Sequence, residues 1–254
     1  MTNSQPLFGK TALITGASRN LGAVTALTLA AHGASVVVHY QKSVEAAQAV
    51  ADAAAAYGSP AYLVKGDLAD SKAVRGMVEN ALEQLGRPID ILVNNAGPFN
   101  ADPFALLAEA EWDRVLNVNL KAAYLTTQLV VPGMRANGWG RIINVSAGSA
   151  YIRNHGIYGL AKNALITLTE ALALELGPEI TVNAVAPGQI AESGPDISAI
   201  DPTFVDRAIA HSPGGRLPTR QEVANLISWL CSPMADMITG ETIPVDAGWR
   251  FNRF

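Results

Sequence analysis

Short apolar runs rich in β-branched residues alternate with alanine- and leucine-rich stretches along almost the whole chain. Residues 11–15 read as a buried strand and residues 35–40 as a second. Between them lie Gly16-Ala17-Ser18-Arg19-Asn20-Leu21-Gly22 and a helical stretch that runs to His32 and stops at Gly33. A strand, a glycine-bearing loop, a helix and a parallel strand join by a right-handed crossover, the opening unit of a nucleotide-binding sheet. The alternation continues with helices over 44–57, 71–85, 111–131 and 157–176 and strands over 61–65, 89–94, 141–145 and 181–186. Pro132 is expected to end the third of these helices. Beyond residue 188 the pattern loosens, with a short helix over 202–211, before a helix over 221–230 and a last strand over 242–245. Regular alternation of this kind implies an α/β fold, a parallel sheet covered by helices on both faces.

With 254 residues, 49% of them hydrophobic, the chain can bury a substantial core. No break in composition divides it, so residues 1–254 are read as one catalytic domain. A formal net charge of -4 gives no sign of a nucleic-acid partner. Cys231 is the one cysteine, which excludes a disulfide within the chain and fits a reducing compartment. The first residues show no secretory pattern, and no apolar stretch is long enough to span a membrane, so a cytoplasmic location is expected.

Two stretches carry chemistry. In the glycine loop, Gly16 permits a tight turn and Gly22 lets the helix approach the strand, so that backbone amides and a helix start face a pyrophosphate. A site for NAD usually places Asp or Glu at the end of the second strand. This chain has Tyr40 there, followed by Gln41, Lys42 and Ser43, with Arg19 in the loop. Two cations and a hydroxyl could receive a 2′-phosphate, which points to NADPH rather than NADH. The second stretch is Tyr158-Gly159-Leu160-Ala161-Lys162. Its tyrosine and lysine share one helix face, and an ammonium beside a phenol would lower the phenol pKa toward neutrality. No His, Cys, Asp or Glu spacing argues for a metal.

Taken together, Thr15-Gly16 through Gly22, Asp67-Leu68, Asn94-Asn95-Ala96-Gly97, Asn119, Tyr158 through Lys162, and Pro187-Gly188 resemble the short-chain dehydrogenase/reductase family over nearly the whole chain. The resemblance implies a Rossmann-type doubly wound parallel sheet of about seven strands and hydride transfer from a nicotinamide cofactor. It implies Tyr158 as general acid, Lys162 as the group that lowers its pKa and binds the nicotinamide ribose, and Asn119 as holder of a relay water. Asp67 and Leu68 would flank the adenine, and Asn95, Ala96 and Gly97 would pass its ribose. Pro187, Gly188 and Ile190 would bracket the nicotinamide. A homotetramer built partly through the two long helices is also implied, with residues 189–216 as a substrate lid.

The chain departs from the family pattern in two places. The family's catalytic serine closes the fifth strand. Aligned from the strand, Ala147 takes that position, whereas the spacing from Tyr158 lands on Val145. Ser146 is the nearest hydroxyl and is assigned the serine's role, with Ser149, or no serine, as the alternatives. In the glycine loop, Asn20 stands where most members have the middle glycine. That substitution is similar to the pteridine reductases, a branch of the family. His39-Tyr40 before Lys42-Ser43 resembles that branch's 2′-phosphate segment, Phe99 matches an aromatic that stacks a flat pterin, and Arg253 matches an arginine that reaches a neighbouring subunit's site. The expected function is therefore NADPH-dependent reduction of a carbonyl or imine in a flat cyclic substrate, contacted by Phe99, Ser146, Tyr158 and Arg253. A 3-oxoacyl-carrier-protein reductase is the alternative, with Arg153, Arg216 and Arg220 as a candidate basic patch. A regulatory dinucleotide-binding protein is the alternative of another class.

Overall fold

The structure, a computed structural model, describes residues 5–151, 156–199 and 201–251. Seven parallel strands form one sheet: β1 (Thr11–Ile14), β2 (Ser35–Tyr40), β3 (Ala61–Lys65), β4 (Ile91–Asn94), β5 (Gly140–Val145), β6 (Ile180–Pro187) and β7 (Thr242–Val245). Their order is β3-β2-β1-β4-β5-β6-β7. The direction of the crossovers reverses at β1, which pairs with both β2 and β4. Open parallel sheets leave a crevice at such a reversal, outside the carboxyl ends of the strands. The loops that begin at Thr15 and at Asn95 both leave the sheet there.

Period-two alternation along each strand feeds two cores. Ala12 and Ile14 of β1 pack on the side of α1 (Asn20–Ala31), α2 (Val44–Ala55) and α9 (Arg220–Cys231). Leu13, between them, packs on the side of α3 (Ser71–Leu85) and α5 (Ala122–Ala136), with Leu176 at the end of α6 (Gly156–Leu176). Both faces of the strand are therefore dry, which explains why it reads as an unbroken apolar run.

Pro132 does not end its helix. The rod runs from α4 (Glu109–Leu116) through one π-helical turn, Asn117–Lys121, into α5, and Pro132 lies inside α5. Val130, Val131 and Met134 are buried around it, and a Cβ on Gly133 would press on the Pro88 ring. That packing outweighs the one backbone hydrogen bond that proline removes.

The expected lid carries two short helices, α7 (Gly194–Ser198) and α8 (Phe204–Ala210). Its first residues are tied to the start of α9. Ala191 N–H donates to the Pro218 carbonyl at 2.9 Å, and the Glu192 carboxylate accepts from Arg220 N–H at 3.1 Å. Thr219 and Glu222 close a reciprocal cap on α9.

Candidate active site

The end of β1 turns at Gly16 into a loop whose first two amides point into the protein. Gly16 N–H donates to His39 Nδ1 at 2.9 Å, and Ala17 N–H donates to the His39 carbonyl at 2.9 Å. The chain then reaches Asn20, whose φ of +52° lies in the left-handed region. Asparagine is among the few residues besides glycine that adopt it readily, so the loop keeps its path without the middle glycine. No side chain caps α1 at Arg19, and its first turn holds no acidic residue. Those amides and the helix dipole are left to an anion. Gly22 is required by close approach, since a Cβ there would overlap the Gly16 carbonyl oxygen and crowd Asn95 Nδ2.

This loop forms one wall of a cleft of about 570 Å³. The cleft collects the residues expected at the adenine and phosphate end of a dinucleotide: Gly16, Arg19, Asn20, Leu21, Gly22, His39, Tyr40, Lys42, Ser43, Asp67, Leu68, Asn95, Ala96 and Gly97. The expected nicotinamide-end residues Tyr158, Lys162, Pro187, Gly188 and Ile190 are not among its lining. Asn95 also laces the two loops together. Its Nδ2 donates to the Thr15 carbonyl, and its N–H donates to Thr15 Oγ1, both at 2.9 Å. Several lining residues escaped the sequence reading: Gly66, Ala69 and Pro98 beside predicted neighbours, and Arg114 and Val118 from a separate element. Arg114 and Val118 lie four residues apart around the junction of α4 with the π-helical turn, and that spacing was the available signal. His39 departs from its expected place as a phosphate contact. Its ring is buried with both nitrogens on protein backbone, Nδ1 on Gly16 and Nε2 on the Gly66 carbonyl at 3.1 Å.

Gly97 joins the cleft to the chemistry. A Cβ on it would overlap Asn119 Oδ1 and lie 3.0 Å from Lys162 Nζ. Asn119 sits on the π-helical turn, buried, with Nδ2 donating to the Val115 and Pro98 carbonyls at 3.0 and 3.1 Å. Its Oδ1 is buried with no protein partner. Lys162 is buried on α6, and its Nζ donates to the Val145 carbonyl at 2.7 Å. Tyr158 lies one turn earlier, its ring centroid 5.7 Å from that ammonium. Phe99 stands edge-on to the Tyr158 ring, with centroids 5.2 Å apart, and is otherwise exposed.

The expected electrostatics of this pair are reversed. Burial pushes the Tyr158 phenol up to about 12 and the Lys162 amine down to about 7. Desolvation opposes either charged form, and the lysine points its amine at the Val145 carbonyl. Burial, rather than the neighbouring lysine, sets the direction of the phenol's shift.

Ser146 gives its hydroxyl to the Lys162 carbonyl at 2.8 Å and is buried. The structure therefore turns it onto the α6 backbone. Ser149 lies on the 3₁₀ turn Gly148–Tyr151, with a buried Oγ that has no protein partner. Pro187 closes β6, and Gly188 N–H donates to the Val245 carbonyl at 2.9 Å. Ile190 packs against the α1–α9 core. Arg216 is paired with Glu222, and Arg220 reaches the Glu192 carbonyl and Ser193, so neither forms an open basic patch. Arg253 and Arg153 lie outside the described residues. Among the described residues no helix is long and apolar enough to cross a membrane.

A doubly wound sheet with a glycine loop and, beyond it, a half-buried Tyr158 beside a buried Lys162 defines a class of nucleotide-dependent oxidoreductases. The sequence profile of a family described as enoyl-(acyl carrier protein) reductase matches residues 16–250. The 3-oxoacyl-[acyl-carrier-protein] reductase of Staphylococcus aureus is 37% identical over 94% of this chain and 97% of its own. A 7α-hydroxysteroid dehydrogenase solved with NADH and a 7-oxo bile acid superposes with a TM-score of 0.90 at 33% identity, covering 98% of this chain and 97% of that one. A gluconate 5-dehydrogenase of Burkholderia cenocepacia, solved with NADP and tartrate, gives 0.90 at 29% identity, over 99% of each chain. The chain belongs to the short-chain dehydrogenase/reductase family of oxidoreductases.

Proposed function

We propose that the protein is an NADPH-dependent reductase of a carbonyl or imine group. The observation that carries this reading is the position of Gly97, which lines the cleft and leaves no room for a Cβ against Asn119 Oδ1 and Lys162 Nζ. A dinucleotide laid from the Arg19–Lys42 rim toward Gly97 ends beside the proton-handling groups. Arg19, Tyr40, Lys42 and Ser43 share that rim, and no carboxylate ends β2 to repel a 2′-phosphate. When bound, NADPH supplies the hydride. Tyr158 would protonate the reduced centre, Lys162 would hold the nicotinamide ribose, and the buried Asn119 Oδ1 would accept from the relay that returns the proton. Pro187, Gly188 and Ile190 would flank the nicotinamide.

For the substrate, a flat cyclic molecule is favoured by Phe99, an exposed ring set edge-on to Tyr158 where a planar group could lie. A 3-oxoacyl thioester is the second reading, favoured by the Staphylococcus aureus relative. The loss of Arg216 to its Glu222 pair speaks against a docking patch for an acidic carrier at that position. Association into a homotetramer is part of the proposal, supported by exposed Tyr124 on α5 and exposed Leu160 and Leu174 on α6.

The test is NADPH and NADH oxidation, followed by the cofactor's absorbance, against dihydrobiopterin, a cyclic imine, a cyclic diketone and an acetoacetyl thioester. Turnover of the cyclic compounds with NADPH supports the first reading, and turnover of the thioester alone selects the second. A preference for NADH in kcat/KM defeats the cofactor assignment, and a monomer by light scattering defeats the tetramer.

A further inference from the structure

We propose that His39 is a positioning residue for the cofactor cleft, holding the glycine loop in its anion-facing shape through Gly16 and Ala17. The inference rests on the dinucleotide reading of the cleft. His39 lies on β2, 2% exposed, where side chain and backbone both reach the loop that follows β1. Its Nδ1 accepts from Gly16 N–H and its carbonyl accepts from Ala17 N–H. Its Nε2 reaches the carbonyl of Gly66, the residue before Asp67 and Leu68 at the other end of the cleft. Accepting at Nδ1 while donating at Nε2 requires the neutral ring with its proton on Nε2. One imidazole thus ties three strand ends, β1, β2 and β3.

The consequence concerns which amides can meet a phosphate. Gly16 has a φ of +64°, and its N–H and that of Ala17 are both turned inward onto His39. The anion is then left to the uncapped start of α1 at Arg19. Without the acceptor at Nδ1, the Gly16 amide would be buried unpaired and the loop would re-form around it. The ring acts on the cofactor through the loop, because both of its nitrogens are engaged with backbone.

Two substitutions separate the two arms of the ring. His39→Asn places Oδ1 near the position of Nδ1 and keeps the acceptor for Gly16, while losing the tie to Gly66. His39→Gln reaches the Gly66 carbonyl with its amide nitrogen and loses the acceptor. NADPH affinity is measured by fluorescence titration beside the Tm of each variant and a KM-against-kcat comparison. The expected result is affinity within about threefold of wild type for His39→Asn, and weakening by about 10- to 100-fold for His39→Gln. The kcat at saturating NADPH stays near wild type in both, because Tyr158 and Lys162 lie on α6. His39→Gln binding NADPH as tightly as wild type overturns the proposal. So does an equal loss of affinity in both variants that follows their Tm. If His39→Gln does not fold, weak binding by folded His39→Asn overturns it alone. Wild-type protein that binds neither NADPH nor NADH strikes the cofactor reading instead.

Discussion

Ser146 donates its hydroxyl to the backbone carbonyl of Lys162, and the preceding residue, Val145, receives the Lys162 ammonium through its own carbonyl. Two consecutive residues at the end of β5 thus hold one lysine by its backbone and by its side-chain tip. The nearest hydroxyl to the family's serine position is therefore engaged by the lysine's backbone.

Ser146→Ala is accordingly expected to behave as a positioning variant. It removes one buried hydrogen bond, at a cost of about 1 kcal/mol in stability. The kcat is expected to fall by less than about tenfold, with the pH profile of kcat displaced as Lys162 moves. Urea denaturation and a pH–rate series check this. A kcat loss as deep as that of a Tyr158 variant would make Ser146 a catalytic group instead.

Tyr158→Phe removes the proposed proton donor and keeps the ring against Phe99. The expected loss in kcat is on the order of 10²–10⁴-fold, the range for a positioned acid. NADPH affinity by titration should stay near wild type, because the hydroxyl is needed only for chemistry.

Lys162→Met is expected to raise stability while abolishing activity. Burial holds the amine near 7 in the fold, against an ordinary value of 10.5. The folded state therefore disfavours the charged form, and the penalty is full below about pH 7. It fades as pH rises from 7 toward 10.5, where the unfolded chain also loses its proton. Methionine avoids the penalty, so the variant should gain about 1–4 kcal/mol at neutral pH and less at alkaline pH. Denaturant midpoints across that range measure the gap.

His39 sets an acid limit. Desolvation lowers its pKa from 6.5 to about 4, opposed by the Gly66 carbonyl and the nearby Asp67 charge. The unfolded state binds the proton first, so stability is full above pH 6.5 and falls as pH drops toward 4. The loss is on the order of 3 kcal/mol at most. His39→Asn carries no such group, and its Tm should lack that acid phase when compared with wild type.

Gly97→Ala places a methyl group against Asn119 Oδ1 and close to Lys162 Nζ. Overpacking of this kind costs about 1–3 kcal/mol. The expected signature is a fall in kcat larger than the fall in NADPH affinity, measured on the same preparation.

Much of this molecule can be read along the chain. The strands stand out because their neighbours on both faces are apolar, as Ala12, Leu13 and Ile14 show. The glycine loop and the Tyr158–Lys162 spacing are local patterns, and the residues of the first line the cleft. Other features depend on residues far apart in sequence. The ring of His39 lies between Gly16 and Gly66 only because parallel pairing brings the ends of β1 and β3 to either side of β2. The hydroxyl of Ser146 faces Lys162 only because α6 packs over the end of β5. Pro132 stays inside α5 because its surroundings are packed. The ionisation of Tyr158 and Lys162 follows from exclusion of water, which spacing along the chain does not report. Periodicity records what each residue needs locally; which donor meets which acceptor, and how dry they are, is set when strands and helices from distant parts of the chain close over one another.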